Sequence, residues 1–355
     1  MRTPIIAAAG IAGALPVATP ASAQGGPRWT QHVEWEENGP EAREHASVMT
    51  FGDTVVVFAG SGYSPQLAPL ADAWAFDTRA DAWRRLETRG DVPEGGGSKR
   101  VAHANGGAVY LFAGYGAGFA MHNELIRVDL DGDTLRFESV EQVGAPPARS
   151  LHAFAFDPRS SRFVAALGVG PAGFLGDTWI GSFDQAGRLV WREIESENGP
   201  EPRFGFSYGF ESESGRLVVH SGQVQGDGTT PLAVTDDLWT LDVRADDPAW
   251  EQVQIGDAPP GRRNATFTFD DRRDELLVWC GTADGRTNVP GLLVVRLEDG
   301  VEWTVHRFDD AEAPPRRSSG FGFADPNSDA VLLGFGNSAA GVYTDLIRVV
   351  TPRDD

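Results

Sequence analysis

Five arginines recur along the chain, each three residues after a proline: Pro40/Arg43, Pro146/Arg149, Pro200/Arg203, Pro259/Arg262 and Pro314/Arg317. Successive arginines are 106, 54, 59 and 55 residues apart. The interval of 106 skips one unit, where Pro93-Glu94-Gly95-Gly96 is followed slightly late by Lys99-Arg100. A guanidinium meets a carboxylate or phosphate with two parallel hydrogen bonds. Brought to one place, Arg43, Arg149, Arg203, Arg262, Arg317 and Arg100 would form a ring able to hold an anionic small molecule, an acidic glycan or a carboxylate of a protein partner. Glu41, Glu201, Asp257 and Glu312 lie in the same loops, so local pairing is the competing outcome. His45 and His152 closely follow their arginines and belong to the side-chain type that titrates near neutral pH. Glu124, beside His122 in a Gly-rich connection, is a third candidate for proton transfer. All three also fit plain structural roles at their repeat positions.

Arginines so far apart can meet only if the units carrying them are arranged around an axis. The segment Glu37-Asn38-Gly39-Pro40-Glu41-Ala42-Arg43 returns as Glu197-Asn198-Gly199-Pro200-Glu201-Pro202-Arg203, 160 positions later. Each unit shows four short strand-like segments separated by Gly, Pro, Asn and Asp. The second is continuously apolar and ends in glycine: Gly60, Gly114, Gly168, Gly222, Gly281 and Gly336, spaced 54, 54, 54, 59 and 55. Such a run suits a strand buried on both faces. The third opens on an acidic residue in five units (Asp72, Glu124, Asp177, Asp237, Asp345), whereas the fifth unit has Asn288-Val289-Pro290-Gly291. The fourth carries an aromatic residue, Trp83, Phe137, Trp191, Trp250 or Trp303, that is expected to pack between neighbouring sheets. The sixth unit lacks a fourth segment, and Arg28-Trp29-Thr30-Gln31-His32-Val33 at the other terminus supplies one. Repeats of this length made of short strands indicate a propeller or solenoid. Closing the ring with residues 28–33 would remove the open sheet edges.

These units resemble kelch repeats, which run Pro-Arg…His, apolar strand, Gly-Gly, acidic strand, Trp-x-x-Leu. The first unit matches most fully, with Pro40, Arg43, His45, Val55 to Gly60, Asp72-Ala73-Trp74 and Trp83 to Leu86. One departure is systematic: Ala59, Ala113, Leu167, Ser221, Cys280 or Phe335 stands where the first glycine of the pair is expected. The resemblance implies an all-β, six-bladed propeller whose last blade is closed by the N-terminal strand. The blades are expected near 34–90, 91–144, 145–199, 200–256, 257–310 and 311–350 plus 28–33. Proteins similar to this include sialic-acid mutarotases, copper oxidases and pure binding modules, and the fold does not choose among them. A copper site like that of galactose oxidase would need a Cys–Tyr crosslink and a tandem histidine pair. Cys280 is the only thiol and lies in an apolar strand, and no such pair occurs near the end of the chain.

Composition narrows the rest. Residues 1–23 read as a cleavable signal peptide, with Arg2, an apolar run from Ile5 to Leu15, and Ala21-Ser22-Ala23 as the cleavage pattern. A secreted or periplasmic protein beginning at Gln24 is therefore expected, with no membrane span. One cysteine excludes an internal disulfide framework. A formal charge of −21 disfavours nucleic acid as a partner. No zinc spacing, calcium loop or phosphate loop is present, so neither a cofactor nor a metal is expected. The leading expectation is a module that binds an anion at an arginine-lined channel mouth. An isomerase resembling a sialic-acid mutarotase and a purely structural propeller are the alternatives.

Overall fold

The computed structural model describes residues 27–31, 38–63, 67–196, 198–226, 232–254, 260–296, 302–306 and 314–351. The signal-peptide segment, Asp257 and Glu312 lie outside these residues, as do His32 and Val33 of the proposed clasp.

The apolar runs form the second strand of six four-stranded antiparallel sheets arranged as propeller blades. Blade 1 comprises Ser47–Phe51, Thr54–Phe58, Ala73–Asp77 and Ala82–Gly90. Blade 2 comprises Arg100–His103, Val109–Phe112, Leu125–Asp131 and Thr134–Ser139. Blades 3, 4 and 5 repeat the order from inner strands Ala153–Asp157, Ser207–Glu211 and Thr266–Asp270. Blade 6 takes three strands from the end of the chain, Phe321–Ala324, Val331–Gly334 and Leu346–Val350, and its fourth from the start, Arg28–Gln31. Trp29 pairs with Val349 and Thr30 with Arg348, so the N-terminal strand joins the final sheet.

Burial explains the pattern of each strand. Val55, Val56, Val57 and Phe58 are fully buried because a second strand has a neighbouring blade on each face. The aromatic residue of the fourth strand fills the seam between blades. Trp83 packs with Phe321, Phe323 and Phe335 of blade 6, Phe137 with Phe58 of blade 1, and Trp250 with Ala153 and Val164 of blade 3. Burying one such side chain is worth several kcal/mol, at ~25 cal/mol per Å² over roughly 150–250 Å². Blades 1 and 2 are also joined at their rims, where Ala82–Gly90 pairs in parallel with Thr134–Ser139. Gly90 makes this possible: a Cβ there would lie 2.2 Å from the Phe137 carbonyl oxygen.

The end of the second strand shows why only one glycine of the pair persists. Both positions are left-handed: Ala59 has φ 61° and Gly60 φ 101°, while Phe335 has φ 56° and Gly336 φ 78°. A Cβ at Gly60 would approach the Glu44 carbonyl to 2.8 Å, and at Gly336 the Ser318 carbonyl to 2.3 Å. The second glycine is fixed by that backbone contact. The first position tolerates a side chain at a conformational cost of about 1–2 kcal/mol.

Candidate functional site

Four of the five Pro-x-x-Arg arginines are locked inside their own blades. Arg43 NH1 and NH2 donate to Asp72 Oδ1 and Oδ2 at 2.8 and 3.0 Å, NH1 also to the Ala59 carbonyl at 2.9 Å, and Nε to the Glu41 carbonyl at 3.1 Å. Arg149 holds Asp177, Arg203 holds Asp237 and Arg317 holds Asp345 with the same two-pronged contact. The aspartates are the residues that open the third strand. Trp74, Trp179 and Trp239 add an indole N–H to three of them, at 2.6, 2.7 and 2.6 Å. Burial opposes charge on Asp72 and Asp237, but the bonds from Arg43 and Arg203 outweigh it and hold both carboxyls below the usual range. This clamp ties the first strand to the third. It also satisfies the carbonyl of the left-handed residue between them, at Ala59, Leu167, Ser221 and Phe335.

This corrects the expected ring. Arg43, Arg149, Arg203, Arg262 and Arg317 have at most 1% of their surface exposed and do not line the channel. Glu41 and Glu201 do accept from their arginines, but through backbone carbonyls rather than carboxylates.

Blades 2 and 5 break the clamp. In blade 2, Gly96 stands at the arginine position: Gly60 N–H donates to its carbonyl at 2.8 Å, as Gly114 N–H does to Arg149 and Gly336 N–H to Arg43. Lys99, the only lysine in the chain, supplies a substitute charge. Its buried Nζ donates to the Tyr115 carbonyl at 3.2 Å. Burial pulls Lys99 down to about 8, against the opposing pull of Glu124 and Glu94. Glu124 holds the clamp-aspartate position. In blade 5, Arg262 is present but Gly291 replaces the acid.

Arg100, four residues past Gly96, begins the inner strand of blade 2 and lines the central channel. The channel is a cavity of about 680 Å³ with walls rich in aromatic rings, Phe154, Tyr208, Phe267 and Phe321 among them. The Arg100 guanidinium reaches across it, 5.5 Å from the Tyr208 ring of blade 4 and 5.7 Å from the Phe267 ring of blade 5. Its Nε donates to the His152 carbonyl of blade 3 at 2.9 Å. Among the described residues, nothing accepts a hydrogen bond from its two terminal nitrogens. Asp271 and Asp325, which also line the cavity, lie at the far ends of their inner strands. A cation with unused donors between aromatic walls can hold a carboxylate, sulfonate or phosphate attached to a flat or apolar body.

The proton-transfer candidates separate. His45 lines the same cavity, and burial lowers its pKa despite Glu44. His152 turns its ring away into the core, fully buried and edge-on to Phe112 at 5.5 Å, and burial holds it neutral. This removes His152 as an acid or base for a bound ligand. Glu124 lies outside the lining of the channel. It forms a half-exposed group with His122, whose Nδ1 is 3.7 Å from Glu124 and whose Nε2 is 3.1 Å from Glu94.

The family model for the KLHDC2/KLHL20/DRC7 Kelch-repeats domain matches residues 26–165. Adagio-like protein 2 of Oryza sativa subsp. japonica is 28% identical over 226 residues, 63% of this chain and 34% of the relative. Adagio protein 3 of Arabidopsis thaliana is 25% identical over 272 residues, 75% of this chain and 42% of the relative. The chain thus spans about a third to two fifths of the length of these curated relatives. The solved structure of YjhT is similar with a TM-score of 0.59, covering 79% of this chain and 91% of that one at 13% identity, which speaks to fold alone. The six blades, the repeated clamp and these matches show a kelch-type β-propeller fold, with the kelch-repeat match itself confined to residues 26–165. Among the described residues no helix is long and apolar enough to cross a membrane.

Proposed function

We propose that this propeller is a binding module whose channel takes an anionic ligand, holding the acid group on Arg100 and the body of the ligand against Tyr208, Phe267 and neighbouring rings. The carrying observation is a guanidinium whose two terminal nitrogens are uncommitted among the described residues, set between aromatic rings in the channel cavity. The small-molecule and glycan forms of this reading share one test. In a thermal-shift screen, at constant chloride, of acidic sugars and of aromatic or aliphatic carboxylates larger than acetate, at least one ligand should stabilise the protein. At 100 times its dissociation constant the gain is about 2.7 kcal/mol, and it should vanish in Arg100→Met. A screen without any stabilising anion, or an equal shift in Arg100→Met, rules the reading out.

A protein segment is the second form of the ligand, favoured by the rim of the channel. Leu67, Phe119, Leu232 and Val342 are exposed in the connections between second and third strands of blades 1, 2, 4 and 6. These connections surround the mouth nearest Arg100, so an acidic segment with apolar side chains could contact both. The signal-peptide reading would place this binding outside the cytoplasm. Mass spectrometry of the secreted protein checks it, with Gln24 as the expected first residue.

A further inference from the structure

Blade 5 carries half a clamp. Arg262 is as buried as its four counterparts. Its Nε and NH1 make only long bonds, 3.4 Å to the Pro260 carbonyl and 3.3 Å to the Cys280 carbonyl. Its NH2, the nitrogen that holds aspartate Oδ2 in blades 1, 3, 4 and 6, has no partner among the described residues. The missing acid can be located. Asp72, Asp237 and Asp345 each stand one residue before a third strand, and Gly291 stands one residue before Leu292–Arg296. Replacing aspartate by glycine removes a methylene, a carboxylate and one negative charge.

Among the described residues no carboxylate restores that charge. Cys280 and His220 are ionisable neighbours of Arg262; burial pushes the Cys280 thiol up to about 11 and pulls His220 down to about 3, so both are neutral at pH 7. Burial pulls Arg262 itself down only to about 10, which leaves it protonated at the same pH. A buried cation in this state needs a counter-ion.

We infer that the blade 5 slot binds a small monoanion, a halide or a carboxylate the size of formate, against the Arg262 guanidinium where the other blades hold an aspartate. The slot is tight, since Arg262 NH2 is buried and a Cβ at Gly291, where φ is 95°, would meet the His306 carbonyl at 3.0 Å, so only the smallest anions fit. The intact clamps differ in access: the side chains of Asp72, Asp177 and Asp237 are 17%, 16% and 16% exposed, so in three of the four the acid side reaches solvent, whereas Asp345 of blade 6 is closed off at 1%. The wall also differs in the right direction. Val289 occupies the position that Tyr343 fills in blade 6, where the ring stacks 4.3 Å from Arg317. A smaller side chain leaves more room beside the guanidinium.

The test compares sodium chloride and sodium formate with sodium gluconate, which is too large, at matched ionic strength. The melting temperature of the full chain should rise by a few degrees and saturate with chloride or formate relative to gluconate. Arg262→Met should abolish that difference, and Arg100→Met should retain it. No difference in the wild type, or a difference that survives Arg262→Met, overturns the proposal. Crystals soaked in sodium bromide give an answer that does not depend on a variant. An anomalous peak within hydrogen-bonding reach of the Arg262 guanidinium supports the site, and its absence from an occupied lattice overturns it.

Discussion

Blade 4 and blade 2 begin from the same repeat and put their basic residues to opposite uses. In blade 4, Arg203 is buried, and its contacts with Asp237, Thr235 and two backbone carbonyls commit both its charge and its hydrogen-bonding geometry. In blade 2 that position is Gly96, and the nearby Arg100 enters the channel with, among the described residues, only Nε bonded to protein oxygen. The same side chain is a fastener where the phase of the repeat is kept and a channel-facing donor where it slips by four residues. Repetition therefore marks the structural arginines, and the exception marks the candidate for function.

The comparison breaks most visibly if a clamp can be removed cheaply. Arg317→Ala leaves Asp345 buried, its side chain only 1% exposed, without its main counter-charge. Removing one partner of such a pair typically costs about 3–5 kcal/mol, and urea denaturation should show a loss of that order. Arg203→Ala should be comparable or somewhat milder, because Asp237 retains Trp239 and more solvent. A loss below about 1 kcal/mol in both would mean that the clamps do not hold the blades.

A second test uses pH to separate the clamps from the buried histidines. Among the described residues, both ring nitrogens of His152 and of His220 lack partners. Burial lowers His220 to about 3 and carries His152 well below its ordinary value, with arginines adding to both effects. The unfolded chain binds these protons near pH 6.5 and the folded chain does not. Stability is thus fully present above that pH and falls as pH drops toward the folded values. Each histidine contributes a slope of about 1.4 kcal/mol per pH unit. The clamp aspartates, whose folded pKa values lie below the ordinary carboxylate value, add their own loss only below about pH 4. Denaturation midpoints at pH 7, 6 and 5 should fall, and His220→Leu should flatten the slope. A level profile from pH 7 to 5 contradicts the neutral, buried state of both rings.

Much of this was visible in the sequence, and the missing part has a definite physical form. The six apolar runs, the seam aromatics and the displaced fourth strand depend on period and composition, which a single chain displays. Both halves of the clamp were visible too, as Pro-x-x-Arg and as the acid opening the third strand. Their pairing was not, because Arg43 and Asp72 are 29 positions apart while Glu41 is two. Only the antiparallel path of the strands shows which carboxylate the guanidinium meets. Arg100 was nearer to legible. Keeping phase from Pro93 assigns Gly96 to the clamp position and carries Arg100 onto the inner strand, where alternation can aim it at the axis.

Arg262→Met sharpens the contrast from the other side. It removes a buried charge that has no acid partner among the described residues, replacing it with an apolar side chain of similar length. Stability in gluconate should change by less than about 1 kcal/mol, or rise, where Arg317→Ala loses several. A loss as large as that of Arg317→Ala would mean that the bonds to Pro260 and Cys280, long as they are, carry the blade.

The smallest expected effect on stability belongs to Arg100→Met. The substitution gives up one hydrogen bond and two cation–π contacts, each worth about 0.5–1.5 kcal/mol. It also relieves the desolvation that lowers the pKa of this guanidinium. These terms oppose one another, so the midpoint in urea should move by less than about 1 kcal/mol. Arg100→Lys separates charge from geometry: a lysine keeps the cation but loses the planar fork, so binding of an anion should weaken about tenfold or more with stability unchanged. If Arg100→Met instead loses as much as Arg317→Ala, the guanidinium is a strut across blades 2 to 5. The contrast between fastening and binding arginines then fails where it matters most, since the bonds to His152, Tyr208 and Phe267 would be the purpose of the residue rather than the frame that presents it.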